Sequence, residues 1–165
     1  MVLFAGFDGS DNPARAVVKA VSAPCRRVIL PNDKERSAEL LNGDIARYKP
    51  DIVLMTGQKP VIRDKISVEM NAKVSGGTLT TALECAAVRD FVLSCGYGCY
   101  ISENCGTSYC NHIYAECLKS FPRGLFIHIP YGKNISDMNE LVRVFDRLIL
   151  FLGESNTSPA QQRDA

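Results

Sequence analysis

Val2-Leu3-Phe4-Ala5-Gly6-Phe7, followed at once by Asp8-Gly9-Ser10-Asp11-Asn12-Pro13, reads as a buried strand that gives way to a polar loop and then a helix. Six uncharged residues suit a strand covered on both faces. Asn12 supplies an N-cap, and Pro13 is preset for the first helical position. The helix is expected over 14–22. Working outward, 26–30 is a second strand stopped by Pro31-Asn32. Residues 33–48 carry apolar side chains at helical spacing and end at Lys49-Pro50, and 51–56 is a third strand closed by Gly57. Strand, helix, strand, helix, strand with short connections signals a parallel sheet with helices on its faces. The fold class expected is therefore α/β: a single-domain three-layer α/β/α sandwich with a central, mostly parallel twisted sheet. It should occupy 1–153, with 154–165 as a polar C-terminal tail that frays.

The rest of the chain continues the alternation. Residues 65–73 read as a strand, with Ile66, Val68 and Met70 on one side and Ser67, Glu69 and Asn71 on the other. Residues 74–77 form a turn, and 78–94 a long helix with Leu79, Leu83, Ala86, Ala87 and Phe91 as its buried stripe. A strand over 96–102, a helix opened by Gly106 and carrying Cys110 to Phe121, a strand over 124–129 and a helix over 136–152 complete the expectation. In such sheets ligand groups collect at the carboxyl ends of the strands, where Phe7 and Gly57-Gln58 lie.

Composition narrows the function classes. The 165 residues are 46% apolar, enough for one real core, and the net charge of +1 gives no footprint for nucleic acid or an anionic membrane. No apolar run reaches the roughly 20 residues that span a bilayer. Met1 to Phe7 has no basic leader and reads as strand, which makes the cytoplasm the expected location. Seven cysteines include no CxxC pair. Cys95 and Cys99, separated by Gly-Tyr-Gly, fall short of a structural zinc pattern. Most of these thiols are expected to be small buried hydrophobes in a reducing compartment.

Three residues could carry chemistry. Cys110 falls in the first turn of its helix, where free N–H groups and the helix dipole lower a thiol's pKa. On spacing alone, a buried helix cysteine like Cys117 is the simpler reading. His128 stands in the otherwise apolar strand Leu125-Phe126-Ile127-His128-Ile129-Pro130, either as a base for that thiol or as a hydrogen-bonded core histidine. His112 is the rival base, but two residues after Cys110 it faces nearly the opposite side of a helix. Glu69 is either an orienting carboxylate for an imidazole or an edge-strand residue in a surface ion pair.

Three separated segments together resemble pyroglutamyl peptidase I (pyrrolidone-carboxylate peptidase), a family of cytoplasmic cysteine peptidases. They are Thr56-Gly57-Gln58 with Arg63, Ile66-Ser67-Val68-Glu69 and Ala72; Ser102, Gly106-Thr107 and Cys110-Asn111; and Phe126-Ile127-His128-Ile129-Pro130-Tyr131. Gly6-Phe7 and Asn12-Pro13 resemble the family's N-terminal strand and ring-holding loop. The resemblance implies a shortened member with Cys110 as nucleophile, His128 as general base and then acid, and Glu69 as orienting carboxylate. It implies removal of N-terminal 5-oxoproline from peptides through a thioester, with Phe7, Gln58 and Tyr109 as substrate-binding residues. It implies no metal and no organic cofactor, no nucleic-acid or membrane partner, and leaves room for a homo-oligomer. The competing class is a catalytically silent relative that binds a peptide N-terminus or a partner protein. A third is a cysteine-rich redox or metal-binding α/β protein.

Overall fold

The computed structural model describes residues 1–154; the remainder of the expected tail, 155–165, lies outside the described residues. Six strands form one sheet in the order β2-β1-β3-β8-β4-β7. These are β1 (Val2–Phe7), β2 (Arg26–Leu30), β3 (Ile52–Lys59), β4 (Lys65–Glu69), β7 (Gly98–Ser102) and β8 (Gly124–Pro130). All neighbouring pairs are parallel except β4 with β8, so the sheet is mixed only at that junction.

Among the described residues five α-helices cover the two faces: α1 (Pro13–Ala20), α2 (Lys34–Tyr48), α3 (Cys85–Ser94), α4 (Tyr109–Ser120) and α5 (Met138–Glu154). Val17, Val88, Val92, Leu141 and Leu148 from α1, α3 and α5 pack with Phe4, Leu54, Val68 and Ile127. Leu41, Ile113 and Leu118 from α2 and α4 pack with Leu3, Met55 and Phe126 on the opposite face. Period-2 alternation in β8 thus sends Ile127 to one core and Phe126 to the other. The three-layer α/β/α sandwich expected from the sequence is the fold observed. Asn12 caps α1 by accepting from the Ala14 N–H at 3.0 Å, with Pro13 in the first turn. Glu154, expected in the tail, is the last residue of α5.

One stretch differs. Residues 71–80 do not extend a strand into a long helix; they form a separate hairpin of β5 (Asn71–Val74) and β6 (Gly77–Thr80). Gly76, at φ +83°, makes the turn, and Thr80 Oγ1 donates to Asn71 Oδ1 across the hairpin at 2.7 Å. Thr78, Thr80 and Thr81 favour extended backbone, whereas the i, i+4 spacing of Leu79 and Leu83 imitates a helix stripe. α3 begins only at Cys85.

Candidate active site

The antiparallel junction decides which side chains meet. Ser67 pairs with His128 and Glu69 with Phe126, so all four side chains point to the α4 face. Glu69 is fully buried and His128 nearly so. His128 Nδ1 lies 2.8 Å from Glu69 Oε1. The same oxygen accepts from Ser67 Oγ at 2.7 Å and Lys59 Nζ at 3.2 Å. Burial pushes the Glu69 carboxyl upward, but hydrogen bonding from His128 and Ser67, together with the nearby Ser102 hydroxyl, outweighs it and holds the group below its ordinary value. Glu69 is therefore an ionised carboxylate on an imidazole. Its main chain is fixed too, since Tyr114 Oη on α4 donates to the Glu69 carbonyl at 2.9 Å.

Cys110 reaches the same face from α4, where it is the second residue after the N-cap Ser108. The Ser108 side chain makes no capping hydrogen bond, so the first-turn N–H groups are not taken up by their own cap. A Cβ placed on Gly57 would stand 2.8 Å from Cys110 Sγ, 3.0 Å from Phe126 Cζ and 3.2 Å from Phe7 Cε2. Gly57 is the β3 partner of His128 on β8. The missing side chain of Gly57 is thus the space that admits the sulfur beside the histidine's strand. The expected lowering of the Cys110 pKa does not occur. Burial pushes the thiol up to about 12, against a smaller lowering by a backbone hydrogen bond, and the Glu69 charge adds to the rise. Desolvation of a thiolate wins over the helix terminus, and Cys110 rests as a neutral thiol. His112 lies partly exposed, two residues further round α4.

The three residues expected to bind substrate are distributed differently. Phe7 and Tyr109 meet edge to face with ring centroids 5.0 Å apart, and Phe7 stacks on Phe126 at 6.2 Å. Tyr109 Oη is tied to the Pro31 carbonyl and lies 2.8 Å from Ser37 Oγ, which anchors this aromatic wall to α2. Gln58 instead lines an open cleft of about 630 Å³ beyond the carboxyl ends of β1, β3 and β8, bounded by Asp8, Asn12, Tyr131 and Lys133. A smaller apolar cavity of about 280 Å³ lies against Ile52, Val88 and Phe151, lined by neither a cysteine nor a histidine.

Four more residues adjoin the site, and of these Ser67 and Asn111 stand inside the segments that carry the resemblance without a role assigned to them there. Lys59 curls from the end of β3 onto Glu69, and Ser67 donates to it from two residues away. Asn111 clamps α4 to the hairpin, accepting from the Lys73 N–H at 2.7 Å and donating to the Lys73 carbonyl at 2.9 Å. Cys105 is buried against the cluster, with a ligand atom within 4.8 Å of one each from Glu69 and His128. The alternation of 65–71 put Ser67 on the Glu69 side, which was a usable signal. Nothing in the spacing of Cys105 or Lys59 marked them.

The site thus holds a buried carboxylate–imidazole pair, with a helix-borne thiol on the same face of a mixed sheet in an α/β/α sandwich. No protein-family model matches the chain. Among curated proteins it is similar to pyrrolidone-carboxylate peptidases of Streptococcus pneumoniae (strain 70585) and Clostridium botulinum (strain Alaska E43 / Type E3). Each is 28% identical over 166 aligned positions, covering 79% of this chain and 78% of the relative. Among solved structures, pyrrolidone carboxyl peptidase from Thermus thermophilus superposes with a TM-score of 0.78 at 22% identity, over 90% of this chain and 98% of that one. The enzyme from Thermococcus litoralis gives 0.76 at 20% identity, over 99% of each chain. The chain is similar in sequence to pyrrolidone-carboxylate peptidases and shares the fold of their solved structures.

Proposed function

We propose that this protein is a cysteine-type omega peptidase that removes N-terminal pyroglutamate from peptides through a thioester acyl-enzyme. The observation that carries the reading is the 2.8 Å contact between Glu69 Oε1 and His128 Nδ1, on the face where Cys110 Sγ fills the space over Gly57. Glu69 holds the Nδ1–H tautomer, so that Nε2 is the nitrogen available to a thiol. Cys110 is neutral at rest, so its proton passes to His128 as the sulfur attacks the lactam-bearing carbonyl. The imidazolium that forms is stabilised by the ionised Glu69. It then returns the proton to the departing amine, and water repeats the sequence on the thioester. The uncapped first-turn N–H groups of α4 meet the oxyanion, a device worth about 3 kcal/mol in comparable sites. Phe7 and Tyr109 wall the lactam ring, and Gln58 leads into the cleft that receives the rest of the peptide. Free cysteines throughout the chain suit a cytoplasmic enzyme.

The test is release of free pyroglutamate from a synthetic pyroglutamyl peptide, with the acyl-enzyme trapped by acid quench and weighed by mass spectrometry. The wild type should release pyroglutamate and gain its acyl mass on the peptide containing Cys110. His128→Ala should do neither, while His112→Ala should do both. Turnover that survives in His128→Ala and fails in His112→Ala would overturn the assignment.

A further inference from the structure

We propose that Glu69, Cys105 and His128 form a site for a thiophilic divalent metal ion of the zinc class, whose binding withdraws His128 from Cys110. The inhibitory consequence rests on the peptidase reading above; the site itself does not. One ligand atom from each residue lies within 4.8 Å of the other two, and all three residues are buried. Carboxylate oxygen, imidazole nitrogen and thiolate sulfur together are a donor set that zinc accepts and that magnesium or calcium does not. Metal–ligand bonds of about 2.0–2.3 Å place tetrahedral donors roughly 3.5 Å apart. Closing the cluster therefore asks for side-chain rotation rather than rebuilding of the sheet.

A second observation points the same way. Oε1 of Glu69 carries the contacts to Ser67, Lys59 and His128, while Oε2 is buried with no hydrogen bond. Ser102, its register neighbour, stands close enough to lower the Glu69 pKa. The Ser102 hydroxyl, however, donates to the Asn104 carbonyl at 3.3 Å. An unpartnered carboxylate oxygen in the core is costly, and a cation supplies what it lacks. Cys105, by contrast, has no role in the proposed acyl transfer, yet its buried thiol faces the carboxylate–imidazole pair.

On binding, the S–H bond of Cys105 breaks, its proton goes to solvent, and a sulfur–metal bond forms; neutral His128 contributes a lone pair and Glu69 its existing charge. Carboxylate and thiolate together neutralise the divalent ion. Lys59 Nζ, 3.2 Å from Oε1, opposes it, but that side chain is 23% exposed and has solvent to withdraw into.

The experiment is titration of the full chain with Co²⁺ and then Zn²⁺ under a non-chelating phosphine reductant. Binding is read by the cobalt–thiolate charge-transfer absorption and by equilibrium dialysis, so it is scored apart from turnover. The wild type should bind one ion with the charge-transfer band, and its turnover should fall with Zn²⁺ and return on chelation. Cys105→Ala should lose the band and at least about tenfold in affinity, and its own turnover should not fall at Zn²⁺ concentrations that inhibit the wild type. Cys105→Ser should behave as Cys105→Ala does, and Lys59→Ala should bind more tightly. No ion on the wild type, a band that survives in Cys105→Ala, or one lost only in Cys110→Ala would overturn the proposal.

Discussion

Replacing Gly57 with alanine tests the geometry of the site without touching a reacting group. The added Cβ would stand 2.8 Å from Cys110 Sγ, 3.0 Å from Phe126 Cζ and 3.2 Å from Phe7 Cε2. Ordinary contacts of this kind are about 3.5–4.0 Å, so sulfur and both rings must retreat, the sulfur by roughly 1 Å. Phe126 and Phe7 are buried and stacked together, which leaves the thiol as the part that yields. A displacement of about 1 Å at a reacting atom costs on the order of 100-fold in rate. Overpacking a filled core costs about 1–3 kcal/mol of stability. Gly57→Ala should therefore fold, melt several degrees lower and lose about two orders of magnitude in kcat. The control is Gly43→Ala in α2, where a Cβ meets nothing within 4 Å. It should keep full activity and gain about 0.5–1 kcal/mol from helix propensity. The assay is denaturant unfolding beside steady-state hydrolysis of a pyroglutamyl substrate. A folded Gly57→Ala with wild-type kcat would refute the placement of Cys110 over Gly57.

Further expectations follow from the same contacts. Glu69→Gln keeps the volume of the side chain but loses the charge that stabilises the imidazolium, so kcat should fall by about 10² or more with KM little changed. A pure KM effect would contradict the orienting role. Asn111→Ala removes both hydrogen bonds to Lys73 and should cost about 1–3 kcal/mol in chemical denaturation, with increased hydrogen exchange in β5 and β6; unchanged exchange there would refute the clamp. Asp64 sits in the left-handed region at φ 45° and accepts from the backbone N–H and hydroxyl of Ser136, each at 2.7 Å, which lowers its pKa from the ordinary 3.8. A depressed carboxylate pKa contributes stability above the unfolded value and loses it as pH falls through the folded one. The Tm advantage of wild type over Asp64→Asn should accordingly be constant near neutrality and shrink on acidification below about pH 4. An advantage that grows with acid would reverse the sign.

Much of the fold was legible because its signals were local. Asn12-Pro13 opened α1 as a cap and first-turn pair, and the apolar runs of β1 and β8 were long enough to mark buried strands. The hairpin at 71–80 was not legible, since Leu79 and Leu83 fell at helical spacing while the threonines that prefer extended backbone carried no periodic signal. In the candidate site, single-sequence chemistry could nominate Cys110, His128 and Glu69 but could not bring them together. The meeting of Glu69 with His128 depends on β4 running antiparallel beside β8, a pairing between segments almost sixty residues apart, and α4 brings Cys110 to the same face. The thiol pKa was misjudged for a related reason. The helix terminus is written in the local sequence, whereas the burial that overrides it comes from packing α4 against strands distant in the sequence.

The role of Cys110 as a nucleophile served by His128 and Glu69 is tested by hydrolysis of a pyroglutamyl-coumarin amide under reducing conditions, wild type beside Cys110→Ala. Coumarin release is expected from the wild type, and none above background from a variant that melts with it. Equal release by both proteins, or none by a folded wild type over a wide range of substrate, would contradict it.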